Sequence, residues 1–135
     1  MFEGISQILI ELQPGVNKKM VFTSHLVYAK LVELYKDTTT SIKFVRASEK
    51  LKAYTGPDIE CKLKGSYAQR KWLSVQYIRW FLLNKFSQEQ REKWLPYFDS
   101  LKVQPDCADT ALMAINGLFG VPKKQLKFKN GSEIK

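Results

Sequence analysis

The chain has 135 residues, 44% of them hydrophobic and 13% aromatic, enough apolar surface for one folded domain and too much for a disordered tail. Lys and Arg number 22 against 13 Asp and Glu, a net charge of +9, and the pI is near 9.6, so polyanions such as nucleic acid are the expected partners. Two separated cysteines, Cys61 and Cys107, and the single His25 exclude a four-ligand zinc site built without carboxylates, and they suit a reducing compartment.

In chain order, "QILIEL" (7–12) predicts a short buried strand with Glu11 near its carboxyl end, closed by "QPG". The opening "MFEGISQILIEL" has no basic n-region, so no signal peptide is expected there. Helical spacing follows over 18–36, where Met20, Leu26, Val27, Leu31 and Leu34 can share a face and His25 is expected as a partly buried helix residue. "TTTSIKFVRAS" (38–48) predicts a second strand whose body is Ile42, Phe44 and Val45. Residues 49–65 are predicted to be a basic loop, punctuated by Gly-Pro and Gly.

The strongest helical pattern covers 66–86, with a broad apolar face containing Trp72, Leu73, Ile78, Trp80 and Leu83, and with Arg70, Lys71 and Arg79 on the other. Ser87 and Gln90 have capping-box spacing for a short helix over 87–101, ending near Pro96. A last helix is expected over 106–118, stopped by Gly117, Gly120 and Pro122, and then a basic tail over 122–135. No apolar run reaches the ~18–20 residues of a membrane span. A non-secreted, intracellular protein of α/β character with no membrane partner is expected.

"PDCADTALMAIN" (105–116) sets Asp106 and Asp109 one above the other, with Ala108, Ala111, Leu112 and Ile115 turned to a core. Acids in a first helical turn complement the helix dipole, and that alone accounts for them. A second reading joins them to Glu11, because ligands of α/β sheets gather beyond the carboxyl ends of strands. Three carboxylates suit Mg²⁺ or Mn²⁺, and a pair of such ions about 3.5–4 Å apart serves phosphodiester hydrolysis. The basic surface then has a purpose, which is to hold the phosphate backbone.

Four segments in order carry a family resemblance. "ILIELQPGVNKKM" (8–20) resembles the IE-x-QP strand of RuvC-like Holliday-junction resolvases, chiefly those of poxviruses and other large DNA viruses. "SIKFVRASEKLKAYTG" (41–56) resembles their next strand and basic loop, and "YAQRKWLSVQYIRWFL" (67–82) their Arg/Lys-rich helix. "PDCADTALMA" (105–114) resembles their terminal D-x-x-D helix, although "VQP" (103–105) stands where viral relatives carry lysines and an extra acid.

The resemblance implies an RNase H-like fold over 1–121 and crossover-junction endonuclease activity on branched DNA with Mg²⁺ or Mn²⁺. By the same resemblance Glu11, Asp106 and Asp109 are catalytic metal ligands, and Arg70, Lys71 and Lys102 contact DNA phosphates. It covers the C-terminal two-thirds of a resolvase. The chain is thus expected to be the C-terminal part of a split or truncated enzyme, with the family's first strand and D-x-G aspartate coming from a partner chain or second copy, and the isolated chain is expected to be inactive. The alternative is a degenerate resolvase fold kept as a non-catalytic nucleic-acid-binding or structural protein. A viral origin would place either in infected-cell cytoplasm or in the virion.

Overall fold

An alternating apolar strand, a helix and a β-branched strand fill the first 46 residues and fold as a β-α-β unit. They are β1 (Gln7–Leu12), α1 (Lys18–Tyr35) and β2 (Ser41–Arg46). The computed structural model describes residues 3–120, so the expected tail at 122–135 lies outside the described residues. β1 and β2 pair in parallel, from Gln7 opposite Ser41 to Leu12 opposite Arg46, and form a two-stranded sheet. The other edge of β1 carries no strand among the described residues. A 3-10 helix (Ala47–Ala53) continues from β2, and α2 (Ser66–Asn84), α3 (Gln88–Ser100) and α4 (Gln104–Phe119) complete the chain. Among the described residues, no helix is long and apolar enough to cross a membrane.

Side chains alternate across the sheet, so each face can be assigned from a few contacts. Phe44 stacks on Tyr28 of α1, with ring centroids 5.1 Å apart, so Phe44 and its register partner Ile10 face α1. Gly117 of α4 lies so close to Leu9 and Gln7 that a Cβ there would stand 2.5 Å from Leu9 Cδ1. Gln7, Leu9 and, by alternation, Glu11 therefore belong to the face that α4 covers. The main core lies beyond the sheet, where Val75, Ile78, Phe81 and Leu82 of α2 meet Phe98 of α3 and Ala108 and Leu112 of α4. Ala108 and Leu112 are wholly buried, as the spacing of "ADTALMAI" predicts.

Four local expectations need correction. α1 does not bury Met20, Leu26, Val27 and Leu34, which are exposed; Val21, Ser24, Tyr28, Leu31 and Tyr35 are the more covered positions. Apolar residues occur on every side of this helix, so spacing alone does not select the packed face. His25 is exposed, its ring 5.2 Å from Phe44 and its Nδ1 2.8 Å from the Val21 carbonyl. The second strand ends at Arg46 and the supposed loop begins as a 3-10 helix. α3 runs through Pro96 to Ser100, because Leu95 and Phe98 on either side of the proline pack on the core and the Ser87–Gln90 capping box secures its start.

Candidate functional site

α4 starts two residues earlier than its sequence pattern predicts, with Pro105 in the first turn, where its missing N–H costs nothing. That start places Asp106 in the first turn and Asp109 one turn on, against α2 and the 3-10 helix. Lys71 of α2 bridges the two acids, its Nζ 2.8 Å from Asp106 Oδ1 and 2.8 Å from Asp109 Oδ2. Lys50 of the 3-10 helix approaches the same Asp109 Oδ2 at 2.7 Å. Asp106 keeps 71% of its side chain exposed, whereas Asp109 and Lys50 each keep 9%. One exposed and one buried carboxylate thus share one ammonium, and the buried one has a second ammonium to itself.

The electrostatics follow from that arrangement. Burial pushes the Asp109 carboxyl up, but hydrogen bonds from Lys50, Lys71 and Ser74 and the Lys50 charge outweigh it and hold the group below its ordinary value. The Ser74 hydroxyl also donates to the Arg70 carbonyl at 2.9 Å. Asp109 Oδ1 is buried and has no hydrogen-bond partner. Lys71 loses affinity for its proton through burial and regains more through both aspartates, so its pKa stands above the ordinary lysine value. Lys71 is therefore charged at neutral pH.

Glu11 lies near the carboxyl end of β1. It stands opposite Val45, one register step from the end of β2, and the 3-10 helix bearing Lys50 begins directly after that end. Glu11 is thus on the α4-covered face and at the strand end from which Lys50 approaches Asp109. Among the described residues, no three His, Cys, Asp or Glu side chains stand close enough together to hold a metal ion. The donor set is nevertheless of the right kind for a hard divalent cation: carboxylate oxygens, one of them buried and unpartnered.

Compared with family models, with curated proteins and with solved structures, the chain has no match. The site must be read from its own geometry. Of the three basic residues expected to meet phosphate, Arg70 is exposed on the first turns of α2 and Lys102 is exposed in the turn between α3 and α4. Lys71 is engaged by the acids instead. Arg79, two turns further along α2, pairs with Asp99 of α3 at 2.5 Å. Lys71, Gln76, Arg79 and Gln104 border a groove of about 420 Å³ beside the acidic pair.

Lys50 and Ser74 are the site residues that sequence reasoning misses. In a 3-10 helix, residues three apart eclipse one another, so Ala47, Lys50 and Ala53 line one side. Two alanines spaced at three about a lysine were the available signal, hidden by treating the segment as a solvated loop. Ser74 is wholly buried and one helical turn from Lys71's neighbour Arg70, a placement that only the packing of α2 on α4 explains.

Proposed function

We propose that the chain is the acid-bearing part of a metal-dependent, structure-selective DNA endonuclease of the RuvC-like resolvase kind, on an RNase H-like fold. The observation that carries this reading is the convergence of Asp106 and Asp109 beside a basic helix flank, with Glu11 on the same sheet face and at the same strand end. Glu11, Asp106 and Asp109 would hold Mg²⁺ or Mn²⁺, which supplies an activated water and charge stabilisation at a phosphodiester. Arg70, Lys102 and the groove bordered by Arg79 would seat the backbone of branched DNA. The edge of β1 that carries no strand among the described residues supports a partner chain or second copy adding its own strand there.

A second reading has a specific observation in its favour. Lys50 and Lys71 already neutralise the two aspartates, as they do in a purely structural ion-pair cluster, and a non-catalytic nucleic-acid-binding or virion protein needs nothing more. A synthetic four-way junction separates the two. With Mg²⁺, and with a resolvase N-terminal segment supplied in trans, the nuclease reading expects nicking that Asp109→Asn abolishes while binding survives. Junction binding without cutting, with or without that segment, supports the binding module.

A further inference from the structure

We infer that Lys71 is a two-position latch: its ammonium closes the Asp106–Asp109 pair, and it swings into the neighbouring groove when a divalent cation and a phosphate backbone arrive together. The inference rests on the metal-site reading above. It begins from a conflict of position. An ammonium 2.8 Å from both Asp106 Oδ1 and Asp109 Oδ2 occupies the space between the carboxylates that a bound cation needs. Two cations do not share it, so metal entry requires that Lys71 leave.

The two lysines differ in their freedom to leave. Lys50 keeps 9% of its side chain exposed, closed in on the 3-10 helix. Lys71 keeps 25% exposed and borders the groove of about 420 Å³ that also holds Gln76, Arg79 and Gln104. Lys50 therefore stays with Asp109 and keeps the buried carboxylate compensated while Lys71 moves. The buried Asp109 Oδ1, without a partner in the closed arrangement, is the second sign that this site awaits a ligand.

The destination explains why the latch answers to DNA. Inside the groove, the Lys71 ammonium would join the Arg79 guanidinium, and the Asp99 carboxylate paired with Arg79 balances only one of the two positive charges, so a second anion is needed there. A backbone phosphate supplies that anion. Metal binding thus frees Lys71 for phosphate, and phosphate draws Lys71 off the acids. The two ligands must raise each other's affinity by the same factor. Without DNA, Lys71 stays on the two acids.

The test is equilibrium binding on the full chain, with Mn²⁺ followed by its free-ion electron paramagnetic resonance signal and DNA binding measured in Ca²⁺ or EDTA. In wild type, a four-way junction should raise Mn²⁺ affinity about tenfold, within the usual range of coupling between sites. Lys71→Met should bind Mn²⁺ about tenfold more tightly than wild type without DNA, and its coupling should fall to about onefold. Lys71→Gln, which keeps the side chain's polarity without its charge, should behave like Lys71→Met and guards against a folding artefact. Mn²⁺ affinity unchanged or weakened in both variants, or coupling that survives in them, overturns the latch and leaves the metal site standing. Failure of wild type and both variants to bind Mn²⁺, with or without DNA, overturns the metal-site reading and the latch together.

Discussion

Lys50 Nζ and Asp109 Oδ2 lie 2.7 Å apart, and each side chain is only 9% exposed. A lone charge at either position would be expensive, so each residue exists at this depth because of the other. Their meeting fixes how the end of β2 sits on α4, since Lys50 belongs to the 3-10 helix that continues from that strand. The pair is therefore both a packing contact and the floor of the candidate site.

Removing one partner should cost far more than removing both. Lys50→Met should lower unfolding stability in urea by about 3 kcal/mol, the low end for breaking a buried pair because Lys71 still faces Asp109. The double variant Lys50→Met/Asp109→Leu should recover at least half of that loss, since no buried charge is left uncompensated. Losses that simply add in the double variant would show that the two residues act independently.

Stability should fall on acidification, and the sign follows from Asp109. Its carboxyl is held below the ordinary 3.8, so the folded state binds that proton less tightly than the unfolded chain. The resulting stability is fully present above the unfolded value and is lost as pH falls from about 4 through the lower folded value. Lys71 works in the opposite direction. Raised above 10.5, it contributes stability that is complete below that pH and disappears as pH rises through its folded value. Urea midpoints measured across pH should therefore drop at both ends, and Asp109→Asn should flatten the acid limb. An acid limb of equal steepness in Asp109→Asn would assign the effect to other carboxylates.

Much of the framework is legible in the sequence, and the exceptions share a cause. Strand β1, strand β2 and the helices were readable because periodic apolar residues and caps such as Ser87 act locally. Ala108 and Leu112 were readable as core because α4 has one clean apolar stripe. α1 has apolar residues all round, so its packed face depended on which residues the sheet offered, namely Phe44. The closeness of Asp106 and Asp109 was readable from a spacing of three, but the ammonium that bridges them and the second one on Asp109 come from residues 38 and 59 positions earlier in the chain than Asp109. Contacts over that separation leave no periodic trace.

Gly56 supplies a stability test away from the acids. A Cβ at this position would stand 2.5 Å from Trp80 Cε2 and 2.5 Å from the Tyr54 hydroxyl. Neither ring can yield easily: Tyr54 is stacked flat on Tyr77 with centroids 3.9 Å apart, and its hydroxyl donates to the Pro57 carbonyl at 2.6 Å. Gly56→Ala should cost about 1–3 kcal/mol, the usual penalty for overfilling packed space. The near-ultraviolet circular dichroism of the Tyr54–Tyr77–Trp80 group should change with it. An alanine variant of wild-type stability with an unaltered aromatic signal would mean that the loop around Gly56 relaxes freely.

The last prediction assigns the basic residues by their dependence on salt. Each phosphate contact contributes about 0.9 log units of affinity per log unit of salt, so deleting one true contact lowers the slope by about one. Arg70 and Lys102 are exposed and have no ion-pair partner among the described residues, so Arg70→Gln and Lys102→Gln should each lower the slope in EDTA and in Ca²⁺ alike. Lys71 is held by both aspartates without metal, so Lys71→Gln should leave the EDTA slope unchanged and lower it only in Ca²⁺. Fluorescence anisotropy of a labelled four-way junction between low and physiological salt reads all three variants in one experiment. A Lys71→Gln slope reduced equally in both conditions would place Lys71 on the phosphate from the start, and a slope near zero in wild type would remove nucleic acid as the partner that the net charge of +9 calls for.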